Sequence, residues 1–259
     1  MGHAGFFAIG AYASAIVTRD LIPAMALSSP TTALVLACVI AMLVTGLVGY
    51  LVGFPCLRLA GDYLAIATVG FGEIIRIVIM NTDFLGAQTG IPAIPGITKL
   101  WHVAAAVALT LWLINNLMRS SFGRAILSVR EDEIAAQAMG INVRFYKTFS
   151  FVVGALFAGL AGALFAHMAQ FISPNNFTFI ISAQILLMIV IGGLGSQLGA
   201  VLGAFLVTFL PEALRFNQTL SENRMLFFSL MMIVMMLWQP KGMIGIFSRF
   251  LDRKEAPKS

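Results

Sequence analysis

Charge is what this sequence has least of. Asp, Glu, Lys and Arg make up 10% of its 259 residues, while 59% are hydrophobic. A soluble domain averages roughly 25% charged and about 45–50% apolar residues. So few charges do not cover a water-facing surface of this length, and a mean hydropathy of +0.94 puts lipid against most of it. Cysteine is nearly absent. Cys38 and Cys56 lie 18 residues apart on one expected helix. That separation is about 27 Å at a helical rise of 1.5 Å per residue, far past the roughly 7 Å a disulfide tolerates. Both are read as small buried apolar side chains. With three histidines and no Cys/His cluster at ligand spacing, no metal is expected and haem or iron–sulfur roles are disfavoured. No G-x-x-x-x-G-K-[ST] occurs, so no phosphate-cradling loop belongs to this chain and no cofactor is expected on it. No acid, base and nucleophile assemble into a set that would make it an enzyme. No basic region precedes the first apolar run, as a secretory signal would require.

What is present is a succession of apolar segments of membrane-crossing length, about 17–25 residues. The expected spans are Gly2 to Thr18, Thr32 to Leu57, Tyr63 to Met80, Leu100 to Leu117, Thr148 to Ile172, Phe177 to Leu194, Leu198 to Leu214 and Met225 to Trp238. Asn81 to Lys99, with Pro92 and Pro95, reads as a loop. The expectation is all-α: a polytopic transmembrane helical bundle of about eight spans, forming one domain over residues 1–259, with a polar tail at 248–259. The net charge of +5 is explained by the positive-inside rule rather than by nucleic acid. Five basic residues fall in the central loop and five follow from Lys241. Both regions are therefore expected in the cytoplasm, and the even number of crossings between them agrees. Phe171 to Phe179 then falls outside, as a turn or a contact for another protein.

Small residues recur at spacing four. Gly195, Gly199 and Gly203 form a double GxxxG, and Gly154, Ala158 and Gly162 form a similar row. No hydrophobic force drives helices together in lipid, so such rows are expected on packed faces. Glu73 and Arg76 are charges inside a span. At i, i+3 they can pair, which lowers the cost of either in hydrocarbon. Two readings stay open: a structural ion pair, or a polar lining of a pathway. His167 and His3 are read as packing residues.

The central polar loop, 118–147, concentrates the scarce charge. Between Asn115 and Lys147 lie eight charged residues: Arg119, Arg124, Arg130, Glu131, Asp132, Glu133, Arg144 and Lys147. Glu131 to Met139 is expected to be a short helix with acids at its N-terminus, where the dipole favours them. Gly140 suits the left-handed position that ends it. Ile134, Ala138 and Met139 share one face. The expected result is an amphipathic helix lying across the ends of the spans, which on its own could be an interfacial helix with no partner.

Here a resemblance becomes specific. Permeases of ATP-binding-cassette importers carry an E-A-A…G loop, and Glu133, Ala135, Ala136 and Gly140, with Arg130 before them, match a one-residue-stretched form. Further stretches are similar to the branched-chain amino acid permeases of the LivM type. They are Gly2-His3-Ala4-Gly5-Phe6-Phe7-Ala8-Ile9-Gly10-Ala11-Tyr12, Asp62 to Thr68 with Gly72-Glu73-Ile74-Ile75-Arg76, Arg130 to Asn142, Ala158 to Gly162, Gly192 to Gly195, Leu210-Pro211-Glu212 and Gln239 to Gly242. They cover nearly the whole chain in order. The resemblance implies one permease subunit of a bacterial inner-membrane importer for leucine, isoleucine or valine. It implies as partners two cytoplasmic ATPase subunits that bind the ATP, a second related permease and a periplasmic amino-acid-binding protein. It also implies that the E-A-A…G helix is the coupling patch. Cargo could equally be urea, short amides or another amino acid. An ion-coupled secondary transporter is the weaker alternative, since only Glu73 lies deep in a span and no clear repeat appears. Members usually carry at least one further helix before the Gly-His-Ala stretch, so Met1 is expected to be an internal methionine or a truncated start.

Overall fold

The computed structural model describes residues 2–21, 29–59 and 61–213. They form helices, two 3-10 turns and one isolated β-bridge, without strands. The helices are α1 (His3–Ile16), which continues into a π-helical turn (Val17–Leu21), α2 (Pro30–Cys56), α3 (Asp62–Met80), α4 (Leu100–Arg119), α5 (Ser121–Glu131), α6 (Glu133–Ala138), α7 (Val143–Ala169), α8 (Phe179–Gly192) and α9 (Gln197–Ala213). Among the described residues five helical segments are long and apolar enough to cross a membrane: α2, α3, α4, α7, and Pro174–Gly192, which joins a 3-10 turn to α8. The polytopic helical bundle is thus present. α1 and α9 are shorter, and the expected span Met225 to Trp238 and the tail lie outside the described residues.

The chain divides into two compact units, Met1–Ile181 and Ser182–Ser259. In the first, α1, α2 and α7 pack on one another over their length. The reason is small side chains on each facing surface. On α2 the buried residues Ala33, Ala37, Ala41, Thr45, Gly49 and Gly53 recur every fourth position. α1 presents Ala4, Ala8, Ala11 and Ala15, and α7 presents Ala155, Gly159, Ala163 and Ala166. Gly10 of α1 lies so close to the Gly159 backbone that a Cβ on it would overlap that carbonyl. Dispersion between closely approaching backbones holds such a trio where lipid removes the hydrophobic drive.

Of the row expected on α7 only Gly162 is buried; the other two places are taken by the next residues along, Ala155 and Gly159. Ala155, Gly159 and Gly162 are buried, while Gly154 and Ala158 are only partly so. A Cβ on Gly154 would meet only the His3 ring at 3.6 Å, whereas one on Gly162 would strike the Phe7 carbonyl. Spacing alone does not distinguish two adjacent small-residue rows on one helix. His167 is buried on the same helix; its Nδ1 lies 2.8 Å from the Ala163 carbonyl and its Nε2 3.3 Å from Thr18 Oγ1.

The loop after α3 and the segment after α7 pair through Ile91 and Ile172, with amide-to-carbonyl distances of 2.9 and 3.2 Å. Phe177 folds inward against Phe7, Tyr12 and Phe165. The stretch Phe171 to Phe179 contains the expected turn, a 3-10 turn at Pro174–Phe177, which buries Pro174 and Phe177 and leaves Phe171 and Phe179 exposed.

In the second unit Gly199 and Gly203 of α9 approach the α8 backbone at Gly192 and Met188. Gly195 does not belong to that face. It stands in the turn before α9 with φ +88°.

Candidate coupling site

The polar loop folds as two helices rather than one. Ser120 starts α5, its Oγ accepting the Gly123 amide at 3.3 Å. α5 stops at Asp132, whose backbone is extended (φ −153°, ψ 114°). The same residue starts α6: Asp132 Oδ1 accepts the amides of Ile134 at 2.8 Å and Ala135 at 3.0 Å. A side chain that caps so well competes with helix continuation. The helix expected over Glu131 to Met139 therefore begins two residues later, at Glu133, and Glu131 instead ends α5.

α6 ends as the sequence anticipates. Gly140 has φ +81°. Its amide donates to the Gln137 carbonyl at 3.0 Å and the Ile141 amide donates to the Ala136 carbonyl at 3.1 Å. Those two bonds form a Schellman motif. Asn142 then caps α7, its Oδ1 accepting the Phe145 amide at 3.1 Å.

Two features fix this turn-helix-turn to the bundle. Glu133 Oε1 lies 2.5 Å from Lys147 Nζ on α7. Phe122 of α5 packs on Phe145, Tyr146 and Phe149, with ring centroids 5.8–6.5 Å apart. In the sequence Lys147 stands only as one of the clustered charges; neither its pairing with Glu133 nor this aromatic group is expected from pattern. Their partners lie across a helix reversal, and the signal that could have found them was only the aromatic spacing at Phe145, Tyr146 and Phe149.

The orientation of α6 departs from expectation. Ala136 is its one buried residue, at 3% exposure, whereas Ile134 and Met139 are each 82% exposed. The Ile134, Ala138 and Met139 face points away from the spans. A methyl side chain at Ala136 lets the helix sit close, and the Glu133–Lys147 bond fixes its rotation. Glu133, Ala135 and Gly140 are exposed beside that outward apolar face. A Cβ on Gly140 would meet no atom within 4 Å, so only its φ demands glycine.

Behind α6 is a cavity of about 520 Å³ lined by Leu57, Leu64, Val129, Arg130, Tyr146 and Phe151 among others, with Glu133 and Lys147 on its wall. Arg130 Nε is 3.8 Å from Glu131 Oε1.

Glu73 and Arg76 lie apart from this region. They pair at 2.7 Å, and the second carboxylate oxygen accepts the Phe179 amide at 3.2 Å. Arg76 Nη1 reaches Met80 Sδ at 3.3 Å. The pair therefore caps the start of α8, a role its i, i+3 spacing does not reveal.

Residues 1–236 match the family described as the branched-chain amino acid transport system permease component. The high-affinity branched-chain amino acid transport permease LivM of Escherichia coli (strain K12) is 38% identical over 94% of this chain and 63% of its own length. The chain thus spans less than two thirds of that relative. A probable LivM permease of Methanocaldococcus jannaschii is 24% identical over 82% of this chain and 68% of its own. The autoinducer 2 import permease LsrC of Klebsiella pneumoniae is 31% identical over 48% of this chain and 37% of its own. No solved structure matches.

Proposed function

The chain belongs to the branched-chain amino acid transport permease family, and from that premise we propose that it is the membrane subunit of an ATP-binding-cassette importer for leucine, isoleucine and valine. It acts by alternating access. Two cytoplasmic ATPase subunits supply the energy, a second related permease completes the pathway, and a periplasmic binding protein delivers cargo. The chain sits in the bacterial inner membrane with its central loop and C-terminus in the cytoplasm. It catalyses no reaction itself.

The observation that carries this reading is the outward apolar face of α6. Exposing Ile134 and Met139 to water beside a helix end that faces cytosol is unfavourable by about 25 cal/mol per Å² of apolar surface. A partner that covers them recovers that energy. Closure of two ATPase subunits moves α6, and the Glu133–Lys147 bond passes the motion to α7, which packs on α1 and α2. Arg130 supports the same contact from α5. The Glu73–Arg76 pair is structural on this account, holding the start of α8.

Replacing Gly140 by Val tests the coupling role. The φ of +81° costs a branched residue roughly 1–2 kcal/mol, so the α6 terminus rearranges while the spans stay intact. ATP-driven uptake of labelled leucine in proteoliposomes should fall about tenfold or more, the effect of ~1.4 kcal/mol, with the variant still inserted. Unchanged uptake would remove the coupling assignment. A second reading, the same machine with another cargo, is supported by the likeness to an autoinducer 2 permease. Binding measurements on the cognate periplasmic protein decide between the cargoes.

A further inference from the structure

The rim near α6 holds two guanidinium groups that the coupling reading does not use. Arg58 follows the end of α2 and Arg144 opens α7. Their Cζ atoms lie 5.0 and 5.4 Å from the centroid of one ring, Phe54. That ring is 42% exposed. Neither arginine makes an ion pair among the described residues. The nearby acids are otherwise engaged: Glu133 with Lys147, Glu131 with Arg130, and Asp132 with the α6 amides. Asp62, at the start of α3, forms no ion pair with either arginine. Two like charges brought to one aromatic ring without a carboxylate leave an attractive site for an anion. The cation–π contact holds them there, which positions the guanidiniums without neutralising them.

The surface beside them is apolar in a stripe. Leu43, Leu47, Tyr50 and Leu51 are exposed and lie on one face of α2 leading up to Phe54. Tyr50 and Phe54 rings are 6.2 Å apart. From Phe54 to Leu43 is about 16 Å along the helix. One leaflet's hydrocarbon is about 15 Å deep, half of the roughly 30 Å core. A doubled positive charge at one end of an apolar track one leaflet long is complementary to one class of molecule.

We propose that Arg58 and Arg144 together bind the phosphodiester of an anionic phospholipid, whose acyl chain lies along the α2 stripe. A bidentate guanidinium suits a phosphate oxygen pair, and basic pockets at helix ends are where lipid headgroups dock. The headgroup sits one helical turn from Lys147, the partner of Glu133. The inference requires only that the chain spans a membrane, so it stands independently of cargo and of the ATPase partners.

The test uses the full chain, or its complex, purified in mild detergent. Native mass spectrometry compares retention of phosphatidylglycerol and phosphatidylcholine added in equal amount. The wild type should retain the anionic lipid preferentially, by roughly tenfold, and millimolar inorganic phosphate or glycerol phosphate should not displace it. Arg58→Gln with Arg144→Gln should abolish the preference. Arg58→Lys with Arg144→Lys, which keeps the charge and needs no new packing, should retain part of it. Equal retention of the two lipids by the wild type overturns the proposal without recourse to any variant. A preference that survives in a monodisperse Gln pair overturns the assignment to these arginines. Displacement by free phosphate overturns the choice of a lipid.

Discussion

α4 and α7 are both long apolar helices, yet they live differently within this chain. α7 buries a third of its most apolar window, and α4 buries none of its own. The difference is in how small residues are placed: those of α7 share one face, while Ala104, Ala105, Ala106 and Ala108 of α4 run round the helix. α7 presents Ala155, Gly159, Gly162 and Ala163 to its neighbours, while α4 exposes Leu100, Trp101, Leu109 and Trp112. Hydropathy says that a segment crosses lipid. The distribution of small residues says whether it does so against protein. α4 is left with a face that lipid or another subunit covers.

The contrast can be broken most sharply at Gly159. Its Cβ position overlaps Thr45 and approaches the Ala41 carbonyl at 3.1 Å. Gly159→Leu should cost about 3 kcal/mol or more, the upper range of overpacking, and should abolish recovery of monodisperse protein in size-exclusion chromatography. Glu73→Ala comes next. It leaves Arg76 unpaired and the Phe179 amide without its acceptor. A thermal-shift assay in detergent should register a loss of about 2–3 kcal/mol, as for one partner removed from a part-buried pair. Lys147→Ala should cost about 1 kcal/mol or less in stability because its partner Glu133 is half-exposed. Its larger effect should be on uptake, and exchanging the charges, Glu133→Lys with Lys147→Glu, should restore much of it. The smallest effect belongs to α4. Ala108 is exposed, and Ala108→Leu should move the melting transition by no more than about 0.5 kcal/mol equivalent. If Ala108→Leu were as damaging as Gly159→Leu, burial in this chain would not explain helix packing.

Much of the architecture is legible because lipid imposes one rule on every span. Apolar length placed α2, α3, α4 and α7 within a few residues of their observed bounds, and Gly140 and its left-handed backbone were readable from residue type. The failures have local causes. Asp132 caps a new helix start, and capping competes with the acidic run that looked like one helix. Gly195 falls in a turn because Gly193 also takes positive φ there. The inward anchoring of Ala136 depends on Lys147 and on the Phe122 aromatic group, which lie across a reversal that periodicity does not span. The same holds for Glu73 and Phe179, 106 residues apart. Pattern finds contacts along a helix; it does not find those made between distant segments.

The direct test of the account is whether the outward face of α6 meets an ATPase. Met139→Cys introduces a thiol on that face, while Cys38 and Cys56 are buried and unlinked. In the assembled complex, a short thiol cross-linker should join Met139→Cys to the ATPase subunit, and Ala108→Cys on α4 should give no such product. Absence of the product from Met139→Cys, with the thiol labelled instead by an impermeant reagent added outside intact cells, would contradict the account.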